Sequence, residues 1–288
     1  MVYLILAILI STSIVITFRL FSRFKIDNLQ AITTNYLVAA LLGFIIHPAV
    51  FSWADIPGKP WFLFSCIIGI TFILTFFLFA LSAQKVGVAV TSVTSKMSVV
   101  IPVTVGIIAY AEPANALKIF GVILSLLAFY LTFRKKNSQK IDKRFLVLPV
   151  MLFLGNGTND TLTKHSQLFL IGNDYMLFLG MVFTVGFIIG LGMIIIKAIR
   201  KKEESSRILM KNLVGGAWLG LLNFGSSYYF IVGMSHFQSS VFFPIFNVSI
   251  VTLSAMAGYL FFKEKLTAIN WTGIVLAIAA ILLIAFAG

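Results

Sequence analysis

Long apolar stretches separated by short polar or basic connections run through the whole chain. Ten of them approach the length of about 20 residues that a helix rising 1.5 Å per residue needs to cross a bilayer. This pattern predicts an all-α integral membrane protein with ten transmembrane helices. The spans are predicted at 2–21, 30–47, 61–82, 88–110, 116–133, 145–167, 174–199, 213–234, 240–262 and 267–286.

The connections between the spans are short. The clearest breaks are at 57–60, 134–144 and 200–211, whereas 84–87 and 263–265 are so short that they must join antiparallel neighbours. The first stretch has no basic segment before it and no small-residue cleavage site after it, so we expect a retained span and not a signal peptide.

The composition excludes an ordinary soluble protein. Of the 288 residues, 60% are hydrophobic and 11% charged, and the mean hydropathy is +1.04. Soluble domains have about 25% charged residues. Nine acidic residues and three histidines leave little for a catalytic or metal-binding cluster. With Cys66 as the single cysteine, no intramolecular disulfide can form. We therefore expect neither a metal nor a cofactor.

The net charge of +13 reflects membrane topology rather than nucleic-acid binding. Of the 22 lysine and arginine residues, all but Lys59, Lys96, Lys118 and Lys164 lie in or beside the odd-numbered connections. Basic connections stay in the cytoplasm, so both termini are predicted outside a bacterial cytoplasmic membrane. The bilayer is the expected partner of these charges, through its headgroups, and no nucleic acid is expected.

The chain contains an internal repeat. We predict a first five-helix repeat at 1–133, a basic connecting loop at 134–144 and a second repeat at 145–288. Because five is odd, the second copy enters the membrane from the other side, which is typical of secondary transporters and is also found in channels. A shift of 152 residues superimposes Gly106 on Gly258, Glu112 on Glu264 and Gly121 on Gly273.

The stretches 106–112 and 258–264, each followed by a glycine-bearing helix, resemble the EamA-like branch of the drug/metabolite transporter superfamily. The resemblance covers the whole chain in helix number and spacing. It implies a basket in which helices 1, 3, 4, 6, 8 and 9 surround a central cavity and helices 5 and 10 are peripheral. Where a glycine is usual before the glutamate, this chain has Ala111 and Lys263. Characterised members commonly place both termini in the cytoplasm, whereas we keep the charge-based orientation.

Lys96 is the sharpest candidate for a functional residue. It lies near the middle of the fourth span in a polar run that includes Ser92 and Ser95. A cation at the bilayer centre costs about 3 kcal/mol, so it normally faces a cavity or a partner. It could be the counter-charge of an anionic substrate group, half of a gating ion pair, or a proton site. Snorkelling to the interface would have to cover about 12 Å.

Asp160 is the only acidic residue well inside a span. Asn156 lies four residues earlier and therefore on the same helix face. The predicted spans separate Asp160 from Lys96 by about 10 Å along the membrane normal. A zwitterionic substrate or ordered water between the two side chains fits that spacing better than a direct salt bridge does. A direct salt bridge remains an alternative. A purely structural carboxylate is the alternative.

Two prolines interrupt the predicted helices that carry polar residues. Pro102 in the fourth span leaves the carbonyl of Ser98 without its donor, and Pro244 in the ninth does the same to Ser240. Such carbonyls line a cavity or bond to other groups, and a simple packing kink is the alternative. Asn247, one turn after Pro244, adds a polar group to the ninth span.

Further polar residues have two possible roles. Asn223 and Tyr228 in the eighth span either complete a pocket or, like many aromatic residues, lie at the membrane interface. Arg19 and Lys164, near the ends of the first and sixth spans, are expected to snorkel. The glycine pairs 186/190 and 216/220 indicate close helix packing and no chemistry.

These features favour a secondary transporter that moves a small polar metabolite, amino-acid-like or an organic anion, by alternating access. The chain has no Gly-x4-Gly-Lys-Ser/Thr nucleotide-binding motif, so a proton, sodium or exchange would drive transport. A channel or scaffold is the alternative. An integral membrane enzyme is disfavoured, because no Asp-Asp pair or buried Ser-His arrangement is present.

Overall fold

The computed structural model describes residues 1–48, 51–85, 95–96, 98–113, 115–133, 147–200, 209–262 and 268–286. In these residues the chain forms ten α-helices and one 3-10 turn, Ile56–Gly58, with no β-strand. The predicted all-α class is confirmed. The helices are α1 Val2–Phe24, α2 Asn28–Ile45, α3 Phe62–Lys85, α4 Val100–Ala109, α5 Ala116–Phe133, α6 Val147–Phe169, α7 Tyr175–Arg200, α8 Met210–Met234, α9 Ser239–Phe262 and α10 Ala268–Phe286.

Nine of these helices agree with the predicted spans to within three residues at each end. The exception is the fourth, predicted at 88–110. Ser95 and Lys96 are helical, a turn follows at Ser98 and Val99, and α4 begins at Val100, whereas 86–94 and 97 lie outside the described residues. Pro102 occupies the first turn of α4, where no backbone donor is needed. The N–H of Ile101 donates to the carbonyl of Ser98 at 2.9 Å, so this carbonyl, which Pro102 leaves without its usual donor, bonds to a neighbouring backbone group.

Two helices of the described residues are long and apolar enough to cross a membrane. They are Asn28–Ile45 and Tyr175–Ile199. Length and composition alone identify them, and the ten-span topology stays a prediction. Shorter apolar stretches lie at Val2–Phe18, Phe62–Phe76, Val100–Ala109, Ile119–Ala128, Ser239–Leu253 and Trp271–Ala280.

The chain divides into two compact units. The first unit comprises Met1–Ile73 and His165–Val232, and the second comprises Leu74–Lys164 and Gly233–Gly288. Each unit takes helices from both halves of the sequence, and α3, α6 and α8 each contribute residues to both. Contacts inside a unit therefore join segments that are far apart along the chain.

In the first unit, α2 and α7 pack as an antiparallel pair at very short range. A Cβ placed on Gly43 would lie 2.6 Å from the Cα of Gly180. Further along, a Cβ on Gly186 would meet the ring of Tyr36 at 3.0 Å, and Gly190 faces the next turn of α2 in the same way. The packing role predicted for Gly186 and Gly190 is confirmed.

The other side of α2 packs against α8 through the second glycine pair. Gly216 lies against Ala31 and Thr34, and a Cβ on Gly220 would lie 2.8 Å from the backbone oxygen of Asn35. The packing prediction for this pair is confirmed as well. Without side chains at these positions, the two backbones approach closely.

Equivalent turns precede α2 and α7. Lys25 and Gly172 both adopt the left-handed conformation, with φ of 50° and 55°. Two residues later, Asp27 and Asp174 precede the helices. Each aspartate pairs with a lysine that is distant in the sequence. Asp27 pairs with Lys197 at 3.3 Å, and Asp174 pairs with Lys59, in the segment after α2, at 2.9 Å.

The second of these ion pairs includes a further donor. The indole N–H of Trp61, a fully buried side chain, donates to Asp174 at 3.3 Å. Burial alone would raise the pKa of Asp174. The hydrogen bonds from Lys59 and Trp61, with the charges of Lys59 and His47, hold it below its usual range. This end of the α2–α7 pair is therefore fixed by an ionised carboxylate.

In the second unit, α10 packs along α5, and α9 contacts α4, α5 and α10. Ala128 of α5 meets Val248 and Val251 of α9 in a small buried cluster that Leu276 of α10 covers. Asn247 of α9 contacts Lys96, in the segment before α4, and the candidate site lies there.

Candidate functional site

Lys96 and Asn247 contact each other directly in the second unit. The ammonium nitrogen of Lys96, a half-buried side chain, donates to Oδ1 of Asn247 at 3.3 Å. Asn247 is buried, and its Nδ2 donates to the carbonyl of Phe243 at 3.0 Å. Because the amide nitrogen bonds to α9 itself, the oxygen is left to face the cation.

A second polar contact joins α6 to the segment before α4. Nδ2 of Asn156 donates to Oγ of Ser95 at 2.7 Å. Gly157, the next residue, lies against the side chain of Ile101 so closely that a Cβ could not fit. Gly157 therefore lets α6 approach α4 closely enough for this hydrogen bond to form.

Asp160 is attracted electrostatically by Lys96. The pair is not in direct contact. Among the described residues, the direct ion pairs are those of Asp27 and Asp174, both in the first unit. Lys96 and Asp160 thus interact without a direct salt bridge, and their separation of about 10 Å along the membrane normal stays a prediction. With the amides of Asn156 and Asn247, the cluster offers a cation, an anion and neutral donors and acceptors.

No contact between described residues places the other predicted site residues in this group. Asn223 belongs to the first unit, where its Nδ2 donates to Oδ1 of Asn35 at 3.1 Å. Tyr228, also in the first unit, stacks on Phe224 with ring centroids 6.4 Å apart. Ser92 lies outside the described residues. The structure therefore gathers Lys96, Ser95, Asn156, Asp160 and Asn247 in one cluster (the polar cluster).

Glu112 has a role that the sequence alone did not reveal. Its carboxylate accepts the backbone N–H groups of Ser239 at 2.7 Å and of Ser240 at 3.0 Å. These are the first two residues of α9, so Glu112 satisfies donors that a helix start leaves without partners. Glu264, its counterpart in the second repeat, lies outside the described residues.

The turn that carries Glu112 requires an unusual backbone. Ala111 has a φ of 51°, in the left-handed region, and the N–H of Glu112 donates back to the carbonyl of Gly106 at 3.2 Å. A Cβ on Gly106 would lie 2.9 Å from Oε2 of Glu112 and 2.8 Å from Cβ of Ser239. Gly106 thus makes room for both the carboxylate and the start of α9.

The prediction that Lys164 snorkels to the membrane interface is wrong. Its side chain is only 3% exposed, and its ammonium donates to the carbonyls of Met234 at 3.0 Å and of Phe237 at 3.2 Å. Met234 is the last residue of α8, where carbonyls lack helical donors, and Phe237 lies in the connection to α9. A sequence signal existed, because Lys164 follows Asn156 and Asp160 at intervals of four and so shares their helix face. For Arg19, its repeat partner, the structure describes the backbone and not the side chain.

The described residues contain no group of three histidine, cysteine, aspartate or glutamate side chains placed to hold a metal ion. The polar cluster consists of an ammonium group, a carboxyl group, two amides and a hydroxyl, which are groups that form ionic contacts and hydrogen bonds. It contains no nucleophile paired with a base.

Comparisons with known proteins establish the fold but not the function. No family model matches the chain. An uncharacterized protein of Haemophilus influenzae is 22% identical over 289 residues, covering 96% of this chain and 95% of the relative. A crystal structure of another protein has a TM-score of 0.80 at 10% identity, covering 99% of this chain and 96% of that one. The fold is therefore shared by a solved structure over nearly its whole length.

Proposed function

We propose that this chain is a secondary transporter of the bacterial cytoplasmic membrane, similar to the EamA-like branch of the drug/metabolite transporters. It moves a small polar metabolite, amino-acid-like or an organic anion, by alternating access. It is not an enzyme, and its partners are the lipid bilayer and the substrate. Its ten helices cross the membrane as two inverted repeats around a central cavity.

The observation that carries this proposal is the polar cluster. Lys96 is held by Asn247 and attracted by Asp160 without a direct ion pair. Buried ionisable groups in an apolar chain are expensive and are kept where they bind substrates or ions. An anionic group can bind beside Lys96, and a cationic group beside Asp160, so both ends of a zwitterion find a counter-charge.

Exposed apolar side chains support the membrane setting. Large side chains of α7 face outward with exposures that reach 76% at Ile199, far more than a soluble helix normally leaves in water. The equivalent turns before α2 and α7 support the repeat, because they lie 147 positions apart and share a left-handed residue and an aspartate.

Coupling to a proton or to sodium fits the same cluster. Asp160 is the carboxylate within it, and either ion would neutralise that charge. Exchange of one substrate for another needs neither ion. We keep these three modes open.

The experiment is substrate counterflow in proteoliposomes. Vesicles are loaded with pooled amino acids, sugars or organic anions, and labelled members of each pool are added outside. Wild type is expected to accumulate label transiently from one pool. Lys96→Gln and Asp160→Asn are each expected to reduce the initial rate by at least about tenfold, since a lost charge contact is worth over 1.4 kcal/mol.

Lys197→Gln is the matched control, because it removes a lysine from an ion pair outside the cluster. It is expected to keep the wild-type rate. Normal counterflow by both cluster variants would reject the polar cluster as the site. Flux that does not saturate and shows no counterflow would favour a channel.

A further inference from the structure

The corner between α8 and α9 is held by an ammonium group from a distant helix. Lys164 of α6 reaches the end of α8 and donates to the carbonyls of Met234 and Phe237 at 3.0 and 3.2 Å. Hardly any of its side chain is exposed. The ammonium therefore sits in a position enclosed by protein and bounded by oxygen atoms.

A positive charge suits this position for two reasons. The last carbonyls of a helix have no backbone donors, and the helix dipole places partial negative charge on them. In addition, the carboxylate of Glu112, which binds the start of α9, attracts the ammonium of Lys164. Both the helix end and the carboxylate of Glu112 thus favour a positive charge at this position.

Two hydroxyl groups belong to the first two residues of α9, on the other side of the corner along the chain. The hydroxyls of Ser239 and Ser240 are fully buried and, within the described part of the chain, have no hydrogen-bond partner. The packing around Gly106 places Cβ of Ser239 beside the carboxylate of Glu112. Carbonyl, hydroxyl and carboxylate oxygens are the groups that bind sodium, and helix C-terminal carbonyls do so in secondary transporters.

We propose that the α8–α9 corner is a monovalent-cation site that the ammonium of Lys164 fills permanently. The protein supplies its own cation where a sodium ion would otherwise bind, so this corner needs no sodium. The consequence for transport, a rate that does not depend on sodium at this corner, rests on the proposed function. The cation site itself does not, because it can be measured without a substrate.

The test compares thermal unfolding in sodium, ammonium and choline chlorides at equal ionic strength. Lys164→Ala removes the charge and leaves space for a small cation, but choline is too large to enter. In choline, the variant is expected to unfold on the order of 10 °C below wild type, because a buried charge loses its partner. Sodium or ammonium is expected to restore at least half of that loss.

Three comparisons make the result specific. Lys164→Met also removes the charge, but its side chain fills part of the space, so recovery is expected to be smaller. Lys197→Ala breaks a more exposed ion pair, and its unfolding temperature is expected to be the same in all three salts. Wild type is expected to show no difference between sodium and choline.

Two results would overturn the proposal. One is a folded Lys164→Ala variant with the same unfolding temperature in every salt. The other is stabilisation of wild type by sodium over choline, which decides the question even if the variants do not fold. If Lys164→Ala responds to sodium but no pool gives counterflow with wild type, the cation site stands and the transporter proposal fails.

Discussion

Ala111 has a backbone conformation that suits glycine better than alanine. At a φ of 51° its Cβ crowds the following carbonyl, which costs about 1–2 kcal/mol. Part of the gain from a glycine is lost to the greater freedom of the unfolded chain. We therefore expect Ala111→Gly to stabilise the protein by about 0.5–1 kcal/mol, measured as a higher midpoint of thermal unfolding in detergent.

Ala109, the last residue of α4, provides the matched control. Ala109→Gly places the same substitution in right-handed helix and is expected to cost about 0.5–1 kcal/mol. Equal destabilisation by both changes would contradict the role assigned to the turn.

The sequence predicted the roles of polar residues that lie in the middle of apolar stretches. It did not predict the roles of residues near helix ends. Lys96, Asn156, Asp160 and Asn247 stood out because burying polar groups is costly, and the structure gathers them. Lys164 was misjudged, since its distance from a helix end does not reveal which chain covers it. The partners of Lys164 are 70 or more residues away, and hydropathy carries no information about such contacts.

At the scale of elements, the α2–α7 pair depends on the absence of side chains at its closest approach. Gly43→Ala would bring a Cβ within 2.6–2.7 Å of the backbone around Gly180, which cannot move aside easily. We expect a loss of about 1–3 kcal/mol of unfolding free energy, measured by thermal or denaturant unfolding.

Gly192→Ala serves as the control for that substitution. Gly192 is also a helical glycine of α7, but nothing lies within 4 Å of a Cβ built there. Alanine is expected to be neutral or to stabilise by up to about 1 kcal/mol, since it is the better helix former. If Gly43→Ala is as well tolerated as Gly192→Ala, the pair packs less closely than described.

Helix positions followed from the sequence, because apolar length and turn residues are local properties. The start of α4 did not. The prediction ran one helix from 88 to 110, whereas a turn at Ser98 and Val99 precedes Val100. Pro102 fits the first turn of a helix as readily as it breaks one, and hydropathy does not distinguish these cases.

At the scale of the whole molecule, the basic connections predict which side of the membrane each loop faces. In a Cys66→Ser background, Ala54→Cys lies in the segment between α2 and α3, and Ser138→Cys lies in the basic loop 134–144. We expect an impermeant maleimide to label Ala54→Cys on intact cells. Ser138→Cys is expected to react only after the cells are permeabilised.

Labelling with the reverse pattern would place both termini in the cytoplasm, as is common among the proteins that the sequence resembles. The Cys66→Ser chain without an added cysteine is the control for background labelling. The division into compact units lay beyond sequence reasoning, since each unit joins segments from both halves.

The α2–α7 pair also has a fixed length. The 18 residues of α2 span about 27 Å. Asp27 before α2 pairs with Lys197 near the end of α7, and Asp174 before α7 pairs with Lys59 in the connection between α2 and α3. A bilayer has a hydrocarbon core about 30 Å thick, and ion pairs do not enter it readily. In the proposed membrane protein, the α2–α7 helix pair can tilt in the bilayer but cannot lengthen. The chain length of the lipids therefore sets the tilt angle of the pair.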